Sequence, residues 1–165
     1  MREALLREKY RAGQSFIIVP RISDITEITS FLSEDVPEVS FIAAHGQMSG
    51  GDLEDRMTAF YQGTYDILVS TSIIESGLDI PSVNTIIIHR ADRFGLAQLY
   101  QMRGRVGRSK TRAYAYLTYN ENNGLTETAE KRLKVMQSLD SLGAGFNLSS
   151  YDLDLRGAGN LVGEE

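Results

Sequence analysis

Short apolar segments alternate along the chain with segments whose apolar residues recur at helical spacing. The apolar runs predict strands at 14–20, 39–44, 65–71, 83–89 and 113–119. Helical spacing predicts helices at the start of the chain and near 24–32, 50–60, 95–105 and 128–139. Strands separated by helix-length segments indicate βαβ units and a parallel sheet covered on both faces. The pattern therefore predicts a doubly wound α/β domain, in which ligands bind at the carboxyl ends of the strands.

Helix ends and faces can be predicted in some detail. Asp24 and Glu27 resemble a capping pair. Ser49 is expected to cap a helix at its N-terminus, with Leu53, Met57 and Phe60 on its buried face. In the helix at 128–139, one stripe is expected to pack against the helix at 95–103; it contains Ala129, Leu133 and Met136.

The segment from Leu142 to Glu165 has a different composition. It holds five of the fifteen glycines and the alternating sequence DLDLR, with few residues that could form a core. We expect an extended arm or hook here. The arm and the opening helix, with Leu5, Leu6 and Tyr10, suggest that the chain is a piece of a longer protein.

Composition excludes several classes of protein. A chain of 165 residues is long enough for one well-cored domain. Without cysteine there is no disulfide framework and no thiolate metal site. His45 and His89 lie too far apart for metal-ligand spacing, so no metal site is predicted. No apolar run is long enough to span a bilayer, and a cytoplasmic protein without membrane contact is expected.

The charge distribution singles out one segment. The net charge is −5, yet the segment from Arg90 to Arg112 carries seven basic residues and one acid, Asp92. A local cationic patch on an acidic chain suits a phosphate-bearing partner held at one place. A solvated charged surface is the alternative interpretation.

The sequence QMRGRVGR (101–108) is the strongest functional motif. Arginine presents a permanently charged planar fork that matches phosphate oxygens. If the helix continues, Arg105 and Arg108 share one face, and Gly104 and Gly107 leave it uncrowded. An arginine directed at a γ-phosphate can accelerate phosphoryl transfer by roughly 10³–10⁵.

Two further segments place polar residues after predicted strands. In ILVSTSIIESGLDIP (67–81), short hydroxyl residues follow an apolar run and precede Gly77 and Asp79. Hydroxyl and backbone N–H groups suit a sugar–phosphate backbone, although many loops share this composition. FIIVPRISD (16–24) and AAHGQM (43–48) have the same arrangement. For His45 alone, a hydrogen-bonded loop histidine is the favoured interpretation.

The motifs that bind a nucleotide are missing. The sequence has no GxxxxGK[ST] and no Gly-Lys pair, so it lacks a P-loop. No strand ends in the paired acids that would hold Mg²⁺. The chain could complete an ATP site but could hardly form one, and the arginines therefore imply a partner lobe.

These motifs together carry a resemblance. Residues 14–119 resemble the second RecA-like lobe of superfamily 2 helicases and translocases, with FIIVPRISD, ILVSTSIIESGLDIP and QMRGRVGR in the places of motifs IV, V and VI. The resemblance implies that Gln101, Arg105 and Arg108 face a nucleotide bound on the other lobe. Arg108 would be the arginine finger. ATP and Mg²⁺ would be held mainly by the preceding lobe.

The same resemblance implies which residues contact the nucleic acid. Gly77 and Asp79 would connect the nucleotide to the DNA track. The implied contacts with the DNA backbone are Arg21, His45, Ser70 and Thr71.

The similarity continues to the end of the chain. RADRFGLAQLYQMRGRVGR and the segment from Ala129 to Glu165 are similar to the family of double-stranded DNA translocases formed by RecG and the transcription-repair-coupling factors. This implies a helicase lobe at 1–125 and a translocation-motif helix and hook at 126–165. Arg103 and Arg156 would couple ATP hydrolysis to movement on double-stranded DNA.

LGAGFNLSSYDLDLRGAG resembles the coupling factors more than RecG. A complete protein of that kind would displace stalled RNA polymerase in transcription-coupled repair, and would meet polymerase and excision-repair proteins through other domains. A RecG-like fork-remodelling helicase is the alternative, and upstream sequence would distinguish the two. A non-catalytic module for a phosphorylated ligand is a third hypothesis; it predicts that Arg105 and Arg108 are dispensable for motor activity.

Overall fold

The computed structural model describes residues 1–71, 82–106, 112–119 and 124–138. The helices in these ranges are α1 (Arg2–Tyr10), α2 (Ser23–Asp35), α3 (Gly50–Tyr61), α4 (Leu96–Arg103) and α5 (Glu127–Ser138). The strands are β1 (Gln14–Val19), β2 (Phe41–Ala44), β3 (Ile67–Thr71), β4 (Val83–Ile88) and β5 (Tyr114–Leu117). Each predicted strand and helix is confirmed in place, with ends that differ by a few residues. The predicted hook lies outside the described residues.

All five strands are parallel and form one sheet in the order β2-β3-β1-β4-β5. In the sheet, Ile18 of β1 pairs with Ser70 on one side and with Ile88 on the other. Every residue of β1, β3 and β4 is buried, which a strand requires when helices cover both faces of the sheet. The predicted doubly wound α/β arrangement is confirmed.

Alternate residues of the strands contribute to two separate cores, because successive side chains point to opposite faces of the sheet. One core packs α1 and α2 against the sheet; its buried members include Leu5, Ile17, Val19, Ile28, Leu32, Val69 and Ile87. The other packs α3, α4 and α5; its members include Phe16, Ile18, Phe60, Leu68, Ile86, Leu99 and Met136. In β1 and β3, the odd-numbered apolar residues face the first core and the even-numbered ones face the second.

The predicted packing of α5 against α4 is confirmed. Ala129 and Met136 are buried and Leu133 is partly buried. Met136 shares its core with Leu99 and Met102 of α4. Helix α5 therefore belongs to the same packed body as the sheet.

Helix α3 begins as predicted. The Ser49 hydroxyl oxygen accepts a hydrogen bond from the N–H of Asp52 at 3.2 Å, which satisfies one of the N–H groups that lack a partner at a helix start. The helix then places Phe60 in the core, where its ring centroid lies 5.8 Å from that of Phe16.

The predicted capping pair at the start of α2 is wrong. The helix begins at Ser23 and has no side-chain cap. The Asp24 carboxylate instead accepts the backbone N–H of Arg21 at 3.1 Å and faces the Arg21 guanidinium at 3.3 Å. Glu27 is exposed, and its carboxylate lies 3.6 Å from Nε2 of His89. Spacing alone did not reveal that Asp24 lies inside the first helical turn.

No group of His, Cys, Asp and Glu side chains in the described ranges could hold a metal ion. None of the described helices is long and apolar enough to cross a membrane.

A buried carboxylate ties α1 to the sheet. Glu8 is only 1% exposed, and its carboxylate accepts hydrogen bonds from Arg11 Nε at 3.0 Å, from Arg11 Nη2 at 2.8 Å and from the Thr85 hydroxyl. Arg11 also donates to the carbonyl of Arg112. Since Thr85 belongs to β4 and Arg112 precedes β5, one ion pair holds three parts of the chain together.

Replacing Glu8 with Ala is expected to lower the free energy of unfolding by about 3 kcal/mol, because it leaves the partly buried Arg11 guanidinium without its partner. The measurement is urea denaturation of this chain, followed by the transition midpoint at constant slope.

Glu3 provides the control, because it is exposed in the same helix. Glu3→Ala is expected to change stability by less than about 0.5 kcal/mol. Equal effects of the two substitutions would contradict the role given to Glu8.

Candidate functional site

The hydroxyl residues predicted to meet a nucleic-acid backbone lie at the carboxyl edge of the sheet. Ser70 and Thr71 end β3, with Ser70 paired to Ala44 of β2 and Ile18 of β1. Both are buried, at 1% and 4% exposure. The Thr71 hydroxyl oxygen has no hydrogen-bond partner among the described residues. A buried hydroxyl without a partner is costly, so Thr71 is a candidate for contact with a ligand or a neighbouring segment.

His45 and Arg21 lie at the same edge. His45 directly follows β2, where its Nδ1 accepts the N–H of Gln47 and its carbonyl accepts the N–H of Met48, both at 3.2 Å. That is the geometry of a hydrogen-bonded loop histidine. Arg21 follows β1 with its side chain 57% exposed beside Asp24. The parallel sheet therefore brings together all four residues predicted to contact DNA.

Of the residues predicted to contact a nucleotide, the structure describes Gln101 and Arg105, and these two lie towards the opposite edge. Because β4 and β5 are parallel, α4 must run from the carboxyl end of one to the amino end of the other. Gln101 and Arg103, in the last turn of α4, and Arg105 just beyond it therefore lie towards the amino edge. About 20 Å, the length of β1, separates the two edges.

The helix that would give Arg105 and Arg108 a shared face does not extend to Arg105. Helix α4 ends at Arg103, and Gly104 to Val106 form a turn in which the Arg105 N–H donates to the carbonyl of Met102 at 3.1 Å. Arg103 and Arg105 are partly exposed and Gln101 is exposed. The arginine motif thus begins in the last turn of α4 and continues into the turn that follows the helix.

Four predicted site residues lie outside the described residues: Gly77, Asp79, Arg108 and Arg156. The first two belong to a segment whose flanking residues are described. Thr71 precedes it at the carboxyl edge, and Ser82 follows it at the amino edge, where the Ser82 carbonyl accepts the N–H of Gln14 at 2.9 Å. The chain between them therefore connects the two edges.

A charged pair between Lys9 and Asp66 stabilises the amino edge of the sheet. Lys9 Nζ lies 2.8 Å from the Asp66 carboxylate, which also accepts the Ser40 N–H at 2.9 Å. Partial burial opposes ionisation of Asp66, but the hydrogen bonds from Lys9 and Ser40 outweigh it and lower the pKa of that carboxyl. These contacts join the end of α1 to the starts of β2 and β3.

Sequence reasoning missed the connection between β4 and α4 as a candidate site. His89, Arg90 and Asp92 carry buried side-chain atoms without a hydrogen-bond partner among the described residues. Arg90 has a φ of 55°, an uncommon conformation for a residue other than glycine. The sequence signal for this site was HRADR, which directly follows an apolar strand. We had interpreted HRADR only as part of the cationic segment.

The comparison with known families agrees with this geometry. A family model described as the helicase conserved C-terminal domain matches residues 1–110, and the chain belongs to that family. Over its whole length the chain is 53% identical to the transcription-repair-coupling factor of Rickettsia bellii (strain RML369-C) and 49% identical to that of Bacillus subtilis (strain 168). It spans 15% and 14% of those proteins, respectively.

Solved structures give the same fold. A structure of RecG bound to a three-way DNA junction matches 95% of this chain and 20% of its own chain, with 39% sequence identity and a TM-score of 0.78. Domain 2 of the DEAD-box helicase Mss116p, bound to an RNA duplex, matches 91% of this chain and 61% of its own, with 15% identity and a TM-score of 0.65. The predicted RecA-like helicase lobe is confirmed, as is the resemblance to the transcription-repair-coupling factors.

The lowered pKa of Asp66 predicts a pH-dependent contribution to stability. A carboxyl whose folded pKa is depressed stabilises the fold above its unfolded pKa, and this stabilisation is lost as the pH falls through the folded value. Wild type should exceed Asp66→Asn in thermal midpoint above about pH 5, and the difference should shrink below about pH 4.

Thermal unfolding of both chains between about pH 3 and pH 7 measures this difference. A difference that stays constant over that range would show that the Lys9–Asp66 pair does not act through ionisation.

Proposed function

We propose that this chain is the second motor lobe of an ATP-driven double-stranded DNA translocase of the transcription-repair-coupling type. The observation that carries the proposal is the placement of two chemically different residue sets at opposite edges of one sheet. Arg105 lies in the turn after α4, on the return towards the amino edge, and the predicted DNA contacts lie at the carboxyl ends of β1, β2 and β3. The full-length similarity to transcription-repair-coupling factors supports the particular type.

On the nucleotide side, the chain supplies cations rather than a complete site. Gln101, Arg105 and Arg108 would approach an ATP and Mg²⁺ held by a preceding lobe. The donor set fits a phosphate, because guanidinium groups match its oxygens. Among the described residues, no cluster of His, Cys, Asp and Glu side chains could hold a metal ion. Arg108 would stabilise the negative charge that develops on the transferred phosphoryl group.

On the DNA side, Thr71, Ser70, His45 and Arg21 would contact the sugar–phosphate backbone. Such contacts fix the position of a protein on the duplex without reading sequence. Gly77 and Asp79 would transmit closure of the nucleotide site to this edge, since the described residues on either side of their segment lie at opposite edges of the sheet.

The division into a lobe at 1–125 and a coupling element at 126–165 belongs to the same proposal. Helix α5 packs on α4, whose last turn carries Arg103. A movement of the arginine turn would therefore reach α5 through direct packing. Arg156 would extend this coupling to the DNA.

The complete protein would act in the cytoplasm and displace stalled RNA polymerase, meeting polymerase and excision-repair proteins through other domains. A RecG-like fork-remodelling enzyme remains the second candidate, favoured by the structural similarity to RecG.

The test uses a chimera in which this chain replaces the matching segment of the Bacillus subtilis transcription-repair-coupling factor. DNA-stimulated ATP hydrolysis should be present in the chimera and missing from the isolated chain. Hydrolysis by the isolated chain would overturn the assignment as half of a motor.

Displacement of a stalled polymerase by the chimera, without regression of a model replication fork, would favour the coupling-factor assignment over the RecG-like one.

In the chimera, Arg108→Ala should lower ATP turnover by roughly 10³-fold or more, because the charge that forms during phosphoryl transfer loses its partner. Binding of duplex DNA without nucleotide should change little.

Arg2→Ala is the matched control. Arg2 is exposed and pairs with Glu38 beside the last residue of α2, and its removal should leave turnover unchanged. Turnover within a few-fold of wild type in Arg108→Ala would refute the catalytic role of this arginine.

A further inference from the structure

Buried polar atoms without hydrogen-bond partners are concentrated at one place in the described part of the chain. They belong to Thr71, His89, Arg90 and Asp92. Thr71 ends β3, and the other three follow β4, so all lie at the carboxyl edge of the sheet. Since buried polar groups in native proteins are almost always hydrogen-bonded, this concentration indicates that the edge receives a polar partner.

The turn after β4 is rigid and strained. Its backbone is held on both sides, because the N–H of His89 donates to the carbonyl of Ile18 at 2.8 Å and the N–H of Ala91 donates to that of Thr118 at 2.7 Å. Ala91 and Phe94 are buried in the core. Arg90, between these anchors, adopts the left-handed conformation. Backbone strain that is held in place by its surroundings is most common at binding sites.

The charges in and around this turn favour an anion. Arg90 is half-buried and Arg93 is exposed, and neither forms an ion pair with another described residue. The acids nearby are Asp92, within the turn, and Glu27 of α2, whose carboxylate lies 3.6 Å from Nε2 of His89. Two arginines outnumber the one acid of the turn, and the Nε of Arg90 is a buried donor that still needs an acceptor.

We propose that the turn from His89 to Arg93 is a second phosphate-binding element, which extends the DNA-contacting edge from β3 and β1 across β4. Its ligand is the sugar–phosphate backbone of double-stranded DNA, with Arg90 and Arg93 each meeting a phosphate. Asp92 carries the opposite charge and limits the affinity of the turn. The inference rests on the proposed function, because it assigns this edge to the same duplex.

The experiment measures duplex-DNA affinity of the chimera as a function of salt concentration. Each lost phosphate contact lowers the slope of log K against log salt concentration by about 0.9. Arg93→Gln and Arg90→Gln should therefore each reduce the slope by about 0.9, and the double variant by about 1.8. Arg90→Lys and Arg93→Lys, which keep the charge, should restore most of the slope.

Arg2→Gln removes the same charge beside the opposite edge and should leave the slope unchanged. Because Arg93 is exposed, Arg93→Gln should fold normally and keeps the test decisive even if Arg90→Gln is unstable. A wild-type slope in Arg93→Gln and in the double variant would overturn the proposal.

The outcome is separable from that of the proposed function, since salt-dependent binding is measured without ATP. If Arg108→Ala abolishes turnover while the Arg90 and Arg93 variants bind like wild type, only this inference falls. If the chimera shows no DNA-stimulated ATP hydrolysis while those variants lose slope, the phosphate-binding turn stands and the motor assignment falls.

Discussion

Parallel pairing of all five strands is the constraint on which the arrangement of this lobe depends. When every strand runs in the same direction, each helix must return the chain from the carboxyl edge to the amino edge. Consecutive loops therefore alternate between the two edges. This alternation, rather than any individual contact, separates His45 and Thr71 from Gln101 and Arg105.

The same constraint explains what could be predicted from sequence. Strands such as 14–20 and 83–89 were recognisable because burial on both faces requires uninterrupted apolar residues. The stripe through Met136 and the cap at Ser49 were also recognisable, because helical spacing and helix ends follow local rules. Strand order and edge assignment depend on which strands pair over long distances. The motif QMRGRVGR was therefore identified from sequence without its position relative to the edges of the sheet.

Local features that depend on tertiary contacts could not be predicted, for a related reason. Asp24 and Glu27 have the spacing of a capping pair, but the helix already begins at Ser23, and Ile25 and Ile28 enter the core. The turn at Arg90 appeared only as charge in a basic segment. Its buried donors and left-handed backbone result from anchoring between β1 and β5, and composition carries no information about that anchoring.

The ion pair around Glu8 has a consequence for how this lobe can be observed. Helix α1 is fixed at both ends, by Arg2 against Glu38 and the carbonyl of Asp35 and by Glu8 and Arg11 against β4 and the start of β5. Gly13 allows the chain to pass close to this ion pair, since a Cβ atom there would lie 1.8 Å from the Glu8 carboxylate. The first turn of α1 is thus held in a fixed orientation relative to the rest of the lobe. A fluorescent dye attached there would turn with the whole lobe, and its polarisation would report rotation of the lobe instead of the motion of a tether.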